Sequence, residues 1–560
     1  MEKEKILNEA RKIAIINASK YGKTSAEFII PKIIGTFREL KDKINDYKAD
    51  IQRIVEEVNK MSLEEIREIA KDFQETKDKK EERKLLKYEN AVTRFSPEPS
   101  GYLHLGHAKA AFLSYEIAVE NNGVMYLRFD DTNPEKAKEE YVKMILEDLE
   151  WLNIKPYSIT YTSDYVDGMY EKMEELIKKD KAYVCQCKEE EINENRKNKK
   201  ACEHRNQEVK ENLRLFEEMK NGKVKEKEAI LLYKGDLNSD NTALRDPAIA
   251  RILEKEHFRH KNKKLWPTYH FASVYMDAIQ EITHAIRSKE YELYGSLYFL
   301  LLNDLFPGKK IELIHISRLF VPGYPLSKRE MRKLIEEKKI ESWDDPRLLT
   351  LRALKRRGIS SKAIKDFVLS FGLGKQENPA DLSILYSKNR AVIDEQADRY
   401  FFIEEPFPLK IEGDFPEFVK MKKHPRKNEE KIIRMNDVVY IEKSDFEKLE
   451  DNELVMLKGF SVAKVDKKER KISLENKSLK GLKVIRWLPS NFSLDAFVIE
   501  PRKPLNDDGT FNEKSLLIHN GKVEKNVEGL AIGSIVQFEM LYFCILDKIE
   551  NGKFSFIFTS

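Results

Sequence analysis

The sequence predicts a multidomain α/β protein: a doubly wound parallel sheet split by an insertion, helices before and after it, and an all-β C-terminal third. Three observations predict this. Residues 91–153 run strand, turn, helix, strand, helix, which is βαβ order. A densely charged stretch with all the paired Cys and His residues breaks that order from 165 to 265. Beyond 385, short β-branched runs such as Val438-Val439-Tyr440-Ile441 alternate with turns. At about 100 to 200 residues per domain, 560 residues make three to five domains, and 41% apolar content gives each a core.

In order, residues 1–88 are expected to be helical, because Ile6, Ala10, Ile13, Ala14 and Ile16 recur at helical spacing and Ser62 with Glu65 forms a capping box before Ile66. Residues 73–89 are too charged to anchor themselves and read as a solvated helix or linker. Residues 89–164 hold the first half of the sheet and 266–320 the second, with 165–265 inserted between them. Residues 321–384 read as a helical connector and 385–560 as one or two β-barrels. Trp151 and Trp343 fall at helical spacing among leucines and are expected in the core.

Lys and Arg number 101 against 97 Asp and Glu, a net +4, so any nucleic-acid surface must be local. Four cysteines cannot build a disulfide framework, and the opening MEKEKILNEARKIA has no apolar signal core; a reducing, cytoplasmic setting is expected. No run approaches the ~20 apolar residues that cross a bilayer, and 529–546, the most apolar stretch, reads as two buried strands around Glu539.

The sharpest chemical signal is Pro97-Glu98-Pro99-Ser100-Gly101-Tyr102-Leu103-His104-Leu105-Gly106-His107, between a strand and a helix. Helix amides and the positive dipole end meet an anion at such a place, and glycine lets backbone approach phosphate. Imidazoles there can donate hydrogen bonds to phosphate oxygens as charge grows during attack at the α-phosphorus. Leu326-Ser327-Lys328-Arg329, after a Gly-Pro turn, suits a mobile clamp on a triphosphate. Each signal alone also fits an ordinary surface turn.

Residues 94–111, 127–136, 245–251, 267–286, 317–320, 326–329 and 343–359 together resemble, in order, class I aminoacyl-tRNA synthetases of the glutamyl and glutaminyl group. The likeness spans 91–560, and its β-rich C-terminus is similar to archaeal-type glutamyl members; residues 1–88 look more loosely like a helical N-terminal extension. The resemblance implies a split Rossmann-like catalytic domain, an acceptor-binding insertion and anticodon-binding barrels. It implies that His104, His107 and Lys328 stabilise the adenylation transition state, with ATP also meeting Pro97, Glu98, Gly101, Gly106, Arg318, Leu319, Ser327 and Arg329. Arg94, Asp130, Tyr269 and Arg287 would line the amino-acid pocket, Asp130 holding the α-ammonium. ATP with Mg2+, L-glutamate and the glutamate tRNA are the implied ligands, the glutamine tRNA stays open, and a monomer is implied. One departure is that Pro325 and Leu326 replace the first Lys and the Met of the family's lysine loop, which leaves the triphosphate more dependent on Lys328.

Arg287 separates the two branches. A glutamate carboxylate entering a dry pocket needs a fixed cation, and arginine pairs with it bidentately. The resemblance implies a small uncharged residue there in the glutaminyl branch. The plain alternative is that Arg287 pairs with Glu290. Cys185, Cys187, Cys202 and His204 match a closed zinc site, or else are scattered reduced thiols. The basic runs at 197–200 and 260–264, and Lys420 to His424 with Arg426 and Lys427, read as solvated faces or RNA contacts. Tyr21-Gly22-Lys23-Thr24 looks like a P-loop tail but lacks its first glycine, so it reads as a turn. A cytidylyltransferase and a non-enzymatic RNA-binding scaffold are the remaining alternatives.

Overall fold

The computed structural model describes residues 2–36, 44–62, 64–66, 68–70, 88–475, 479 and 481–560. It forms two compact units, 1–84 and 85–560. In the first, helices α1 (Glu2–Tyr21), α2 (Ala26–Thr36) and α3 (Lys48–Lys60) close on one core. Ile6, Ala10, Ala14 and Ala18 form a four-residue stripe on α1, narrow enough for Ile29, Ile33, Ile51 and Val58 to pack against it. Ser62 and Glu65 cap reciprocally, at 2.8 Å from Ser62 N to Glu65 Oε2 and 3.3 Å from Glu65 N to Ser62 Oγ. The Gly22–Thr24 turn is clamped to α3: Asn59 accepts from Thr24 N and donates to Thr24 O, both at 2.9 Å. It is a structural turn, as its missing glycine predicts. Of the charged stretch 73–89, all but Tyr88 and Glu89 lies outside the described residues.

The second unit is built on a parallel sheet. Strands β1 (Val92–Phe95), β2 (Val124–Phe129) and β3 (Ser158–Tyr161) pair in that order. Helix α4 (Leu105–Glu120) makes the first crossover and α5 (Glu139–Trp151) the second. The insertion follows, with α6 (Val166–Lys178), β4 (Ala182–Cys185), α7 (Glu189–Lys197), α8 (Val209–Lys220), β5 (Ile230–Tyr233), β6 (Ala248–Ile252) and β7 (Leu265–Pro267); its four strands are antiparallel. The chain then returns through α9 (Tyr269–Ile279), β8 (His284–Ser288), α10 (Gly295–Leu305) and β9 (Glu312–Ile316). Thr283 N donates to Val92 O at 2.9 Å, which lays β8 beside β1 and joins the halves. The charged insertion has a core: Val184, Phe216, Leu231, Ile249 and Trp266 pack in one cluster with Val274 and Leu301 of the returning half.

The connector holds α11 (Lys328–Glu336), α12 (Leu351–Arg356), α13 (Ser361–Leu369) and α14 (Leu382–Ile393). Helix α14 therefore crosses position 384, where the sequence suggests the connector ends. Asp381 caps its start, accepting from Ser383 N at 2.9 Å, and Ile393 packs on Phe543. Trp343 is not helical: it lies between α11 and α12 and stacks on Tyr102, centroids 5.2 Å apart. Beyond it stand two seven-stranded sheets and a two-stranded ribbon. The chain starts one sheet at Asp398–Tyr400, builds the other between Pro406 and Pro489, and returns to finish the first. The apolar stretch 529–546 supplies the strands Ile535–Phe538 and Phe543–Glu550, as two buried strands require. No described helix is long and apolar enough to cross a membrane.

Candidate active site

The histidine loop is set by its own caps. His104 stands at the N-cap of α4 in extended conformation, and its Nδ1 accepts from Gly106 N at 3.0 Å. His107 Nδ1 accepts from His104 N at 3.2 Å. With both Nδ1 atoms serving as acceptors, each neutral ring carries its proton on Nε2 and keeps that N–H to donate elsewhere. The rings lie 3.8 Å apart. Burial first, then the charges of Lys328 and Arg318, push His104 down to about 3; burial, His104 and Lys328 hold His107 well below its usual value. Both are neutral donors at physiological pH. A Cβ on Gly106 would lie 2.9 Å from His104 Cε1, so this glycine keeps room for the ring.

The chain's second half closes over this loop. Leu105 N donates to Leu349 O at 3.0 Å and Leu351 N to Leu103 O at 2.9 Å, fastening both sides of His104. Lys328 Nζ lies 3.2 Å from Ser100 Oγ and 3.4 Å from the Glu98 carbonyl, and a Cβ on Gly101 would touch Lys328 Cδ at 3.2 Å. Burial, together with Lys136 and Arg332, brings the ammonium down to about 8 although Glu98 opposes this. Pro97 O accepts from Asp130 N at 3.1 Å, tying the loop to the neighbouring pocket. Arg318 is exposed and pairs with Glu290 at 2.6 Å, Leu319 is buried in the core, and Arg329 is exposed beside Ser327, which opens α11. A residue missed in the sequence holds this edge: Lys109, 1% exposed, donates to both the carbonyl and the hydroxyl of Ser317 at 2.8 Å. A lone Lys among Ala108, Ala110, Ala111 and Phe112 on α4 was the available signal.

Beside the loop lies a buried charge cluster. Arg94 Nε donates to Asp277 Oδ1 at 3.0 Å and its Nη1 to Ile286 O at 2.8 Å. Arg128 Nη1 reaches the same Asp277 oxygen at 2.8 Å, and the Tyr298 hydroxyl donates to Oδ2 at 3.0 Å. Burial would raise Asp277, but Arg94 and Arg128 overcome it and hold the carboxyl at about 2. Arg287 is different. It is 5% exposed, its Nη2 donates to Ser273 Oγ at 3.3 Å, and its Nε is buried with no partner among the described residues. Tyr269, Tyr291 and Tyr298 surround its guanidinium at 5.1 to 5.5 Å from their centroids. Glu290, the alternative partner, is taken by Arg318. Asp130 has one oxygen on Thr162 Oγ1 at 3.0 Å and Arg128 Nε at 3.3 Å, while its other oxygen is buried without a partner among the described residues. Arg287 and Asp130 were legible as candidates; Arg128, Ser273 and Asp277 were not.

In the insertion, Cys185, Cys187, Cys202 and His204 offer four ligand atoms within 4.8 Å of one another. Cys185 and Cys202 sulfurs are 3.7 Å apart, and His204 Nδ1 lies 3.4 Å from Cys187 and 4.0 Å from Cys185. Of the basic runs, much is spent internally. His424 is 1% exposed and bonds Asp394 O at 2.8 Å, Lys427 pairs with Asp398 at 2.7 Å, and Arg426 with Glu395 at 3.0 Å. They fasten the ribbon to the end of α14. His260 likewise bonds Asp164 at 2.8 Å.

The family described as "tRNA synthetases class I (E and Q), catalytic domain" matches residues 90–396, and the corresponding "anti-codon binding domain" matches 397–480. The chain is 38% identical to a glutamate–tRNA ligase of Pyrococcus furiosus over 585 residues and 37% identical to one of Nitrosopumilus maritimus over 569, each covering 99% of both chains. It is 35% identical to the glutamate–tRNA ligase of Korarchaeum cryptofilum, covering 97% of this chain and 98% of that one. The chain therefore belongs to the class I tRNA synthetases of the E and Q group, carrying both its catalytic and its anticodon-binding parts.

Proposed function

We propose that this chain is a glutamate–tRNA ligase whose specificity rests on Arg287. The observation that carries this reading is the uneven pairing of the buried cations. Arg94 and Arg128 share the Asp277 carboxylate and Arg128 also meets Asp130, whereas Arg287 pairs with no carboxylate among the described residues and its Nε is unpartnered there. A glutamate γ-carboxylate supplies the missing counter-charge; a glutamine amide would leave the guanidinium buried and unpaired. The free oxygen of Asp130 suits the α-ammonium, and Tyr269 borders the same space. Arg94, held by Asp277 and the Ile286 carbonyl, orders the buried cluster beside the pocket.

With Mg·ATP as the co-substrate, a glutamate α-carboxylate oxygen attacks the α-phosphorus, the bond to the bridging oxygen breaks, and pyrophosphate leaves. The Nε2–H groups of His104 and His107 donate to the phosphate as charge develops, and Lys328 neutralises the departing side. A terminal adenosine hydroxyl of tRNA then attacks the acyl carbon and AMP departs. No strong base is required, since the leaving groups are good and positioning supplies most of the rate. Pro97, Glu98, Gly101 and Gly106 shape the nucleotide seat, with Arg318, the Leu319 backbone, Ser327 and Arg329 around it. The glutamate tRNA is the partner, and a cavity between the first sheet and the ribbon, where Arg399, Phe401, Lys422 and Lys431 meet beside Glu539, suits a splayed base. Charging of purified glutamate and glutamine tRNAs tests the reading: glutamate on its own tRNA supports it, and glutamine transfer overturns it.

Because Lys328 titrates near 8, kcat/KM for ATP is expected to fall as pH rises through about 8, where the free enzyme loses the ammonium. The alkaline limb should disappear in Lys328→Arg. An unchanged limb in that variant contradicts the assignment.

The four Cys and His ligands fit zinc. Tetrahedral Zn–S and Zn–N bonds of about 2.3 and 2.0 Å space sulfurs by about 3.8 Å and sulfur from nitrogen by about 3.5 Å. Zinc there would tie Cys185, at the end of β4, and Cys187 to the segment 202–204 in a closed structural site. About one equivalent of zinc is expected in freshly purified protein, falling with a lowered Tm in Cys202→Ser. Less than half an equivalent in the native chain rules it out.

A further inference from the structure

The strands Ser493–Pro501 and Leu516–Glu524 pair along their length, and the loop between them is a stiff finger. Leu505 and Phe511 bridge across it, Asn506 N bonds Thr510 O at 2.9 Å, Asn512 N bonds Pro504 O at 2.8 Å, and Asp508 accepts from Thr510 N at 2.9 Å. The finger leaves its own sheet and grips the segment that carries Lys328. Leu505 N donates to Gly323 O at 3.1 Å in the turn before that lysine. Gly323 has φ +79°, and a Cβ there would lie 3.0 Å from Leu505 O and 2.9 Å from Lys503 Cδ. Leu505 and Phe511 pack on Met331, Leu334 and Ile340, and the Phe511 ring lies 5.9 Å from Lys339 Nζ and 5.7 Å from the Arg347 guanidinium. Arg347 also reaches Ser515 Oγ at 3.3 Å.

Helix α11 begins at Lys328 and has one narrow apolar stripe, Met331, Leu334 and Ile335; Arg329, Glu330, Arg332 and Lys333 are exposed. Met331, one turn from Lys328, is fully buried in the cluster that the finger completes. The depth at which α11 sits therefore sets the reach of Lys328 toward Ser100 and the histidines. We propose that Leu505 and Phe511 are positioning residues for Lys328, so that the C-terminal sheet region fixes the ATP side of the site. The inference rests on the reading of Lys328 as the triphosphate contact.

The test is glutamate-dependent, tRNA-supported ATP–pyrophosphate exchange with the full chain, alongside tRNA binding. Phe511→Ala is expected to lower kcat/KM for ATP about tenfold while the glutamate KM and tRNA Kd stay within about twofold. Phe511→Tyr, which keeps the ring, should restore it. Gly323→Ala, should Phe511→Ala fold poorly, is expected to give the same ATP-selective loss. Wild-type ATP kinetics in Phe511→Ala, or parallel loss of glutamate and tRNA binding, overturns the proposal. Lys328→Ala separates the two layers: if it is inactive while Phe511→Ala is normal, only the positioning role fails; if Lys328→Ala is itself normal, the reading of the site fails.

Discussion

Lys328→Ala is expected to lower kcat for glutamate-dependent pyrophosphate exchange by about 10²- to 10³-fold, the scale seen when one preorganised transition-state donor is removed. The side chain reaches Ser100 and the Glu98 carbonyl from the opposite half of the fold, and its charge is felt at both histidines. Its contribution should fall on the chemical step, because charge on the departing pyrophosphate grows only as the bond to the α-phosphorus breaks. The glutamate KM should move little, since Arg287 and Asp130 belong to a separate network. Single-turnover exchange against ATP concentration checks this; a variant with normal kcat removes Lys328 from the chemistry.

Arg287→Ala is expected to raise the glutamate KM by about two to three orders of magnitude, the size of a lost buried charge pair. The ATP KM should stay near its native value. The substitution also makes an unusual stability prediction. In the free protein Arg287 is a buried cation whose only hydrogen bond among the described residues goes to Ser273, so its removal relieves a desolvated charge. Tm without ligand should therefore not fall, and the stabilisation by added glutamate should vanish. Glutamate titrations followed by kinetics and by thermal shift measure both. An unchanged glutamate KM rules out the specificity assignment.

What the sequence made legible was local. The histidine loop stands out because Pro97, Pro99 and Gly101 separate a strand from a helix whose apolar spacing starts at once, so the two imidazoles had to lie at a helix start. The C-x-C and C-x-H pairs were legible for the same reason. Arg287 could be weighed because the family resemblance implies a small uncharged residue there in the glutaminyl branch. The residues missed share the opposite property. Asp277 meets Arg94 and Arg128 across separations of 183 and 149 positions, and Lys109 meets Ser317 across 208. No local period encodes such contacts, and each looks like an ordinary charge on its own helix or strand. The partners of the basic residues near 424–427 were hidden for a related reason: composition shows their charge but not Asp394, Glu395 and Asp398, which they meet across 29 to 31 positions.

The central claim is that His104, His107 and Lys328 serve one nucleotide beside a pocket that selects glutamate. Amino-acid-dependent ATP–pyrophosphate exchange in the presence of the glutamate tRNA tests it most directly, run with glutamate and with glutamine on the native chain and on His104→Asn. Exchange with glutamate, little with glutamine, and a drop of about 10²-fold or more in the histidine variant is the predicted result. Equal exchange with glutamine, or a histidine variant as active as the native chain, would contradict it.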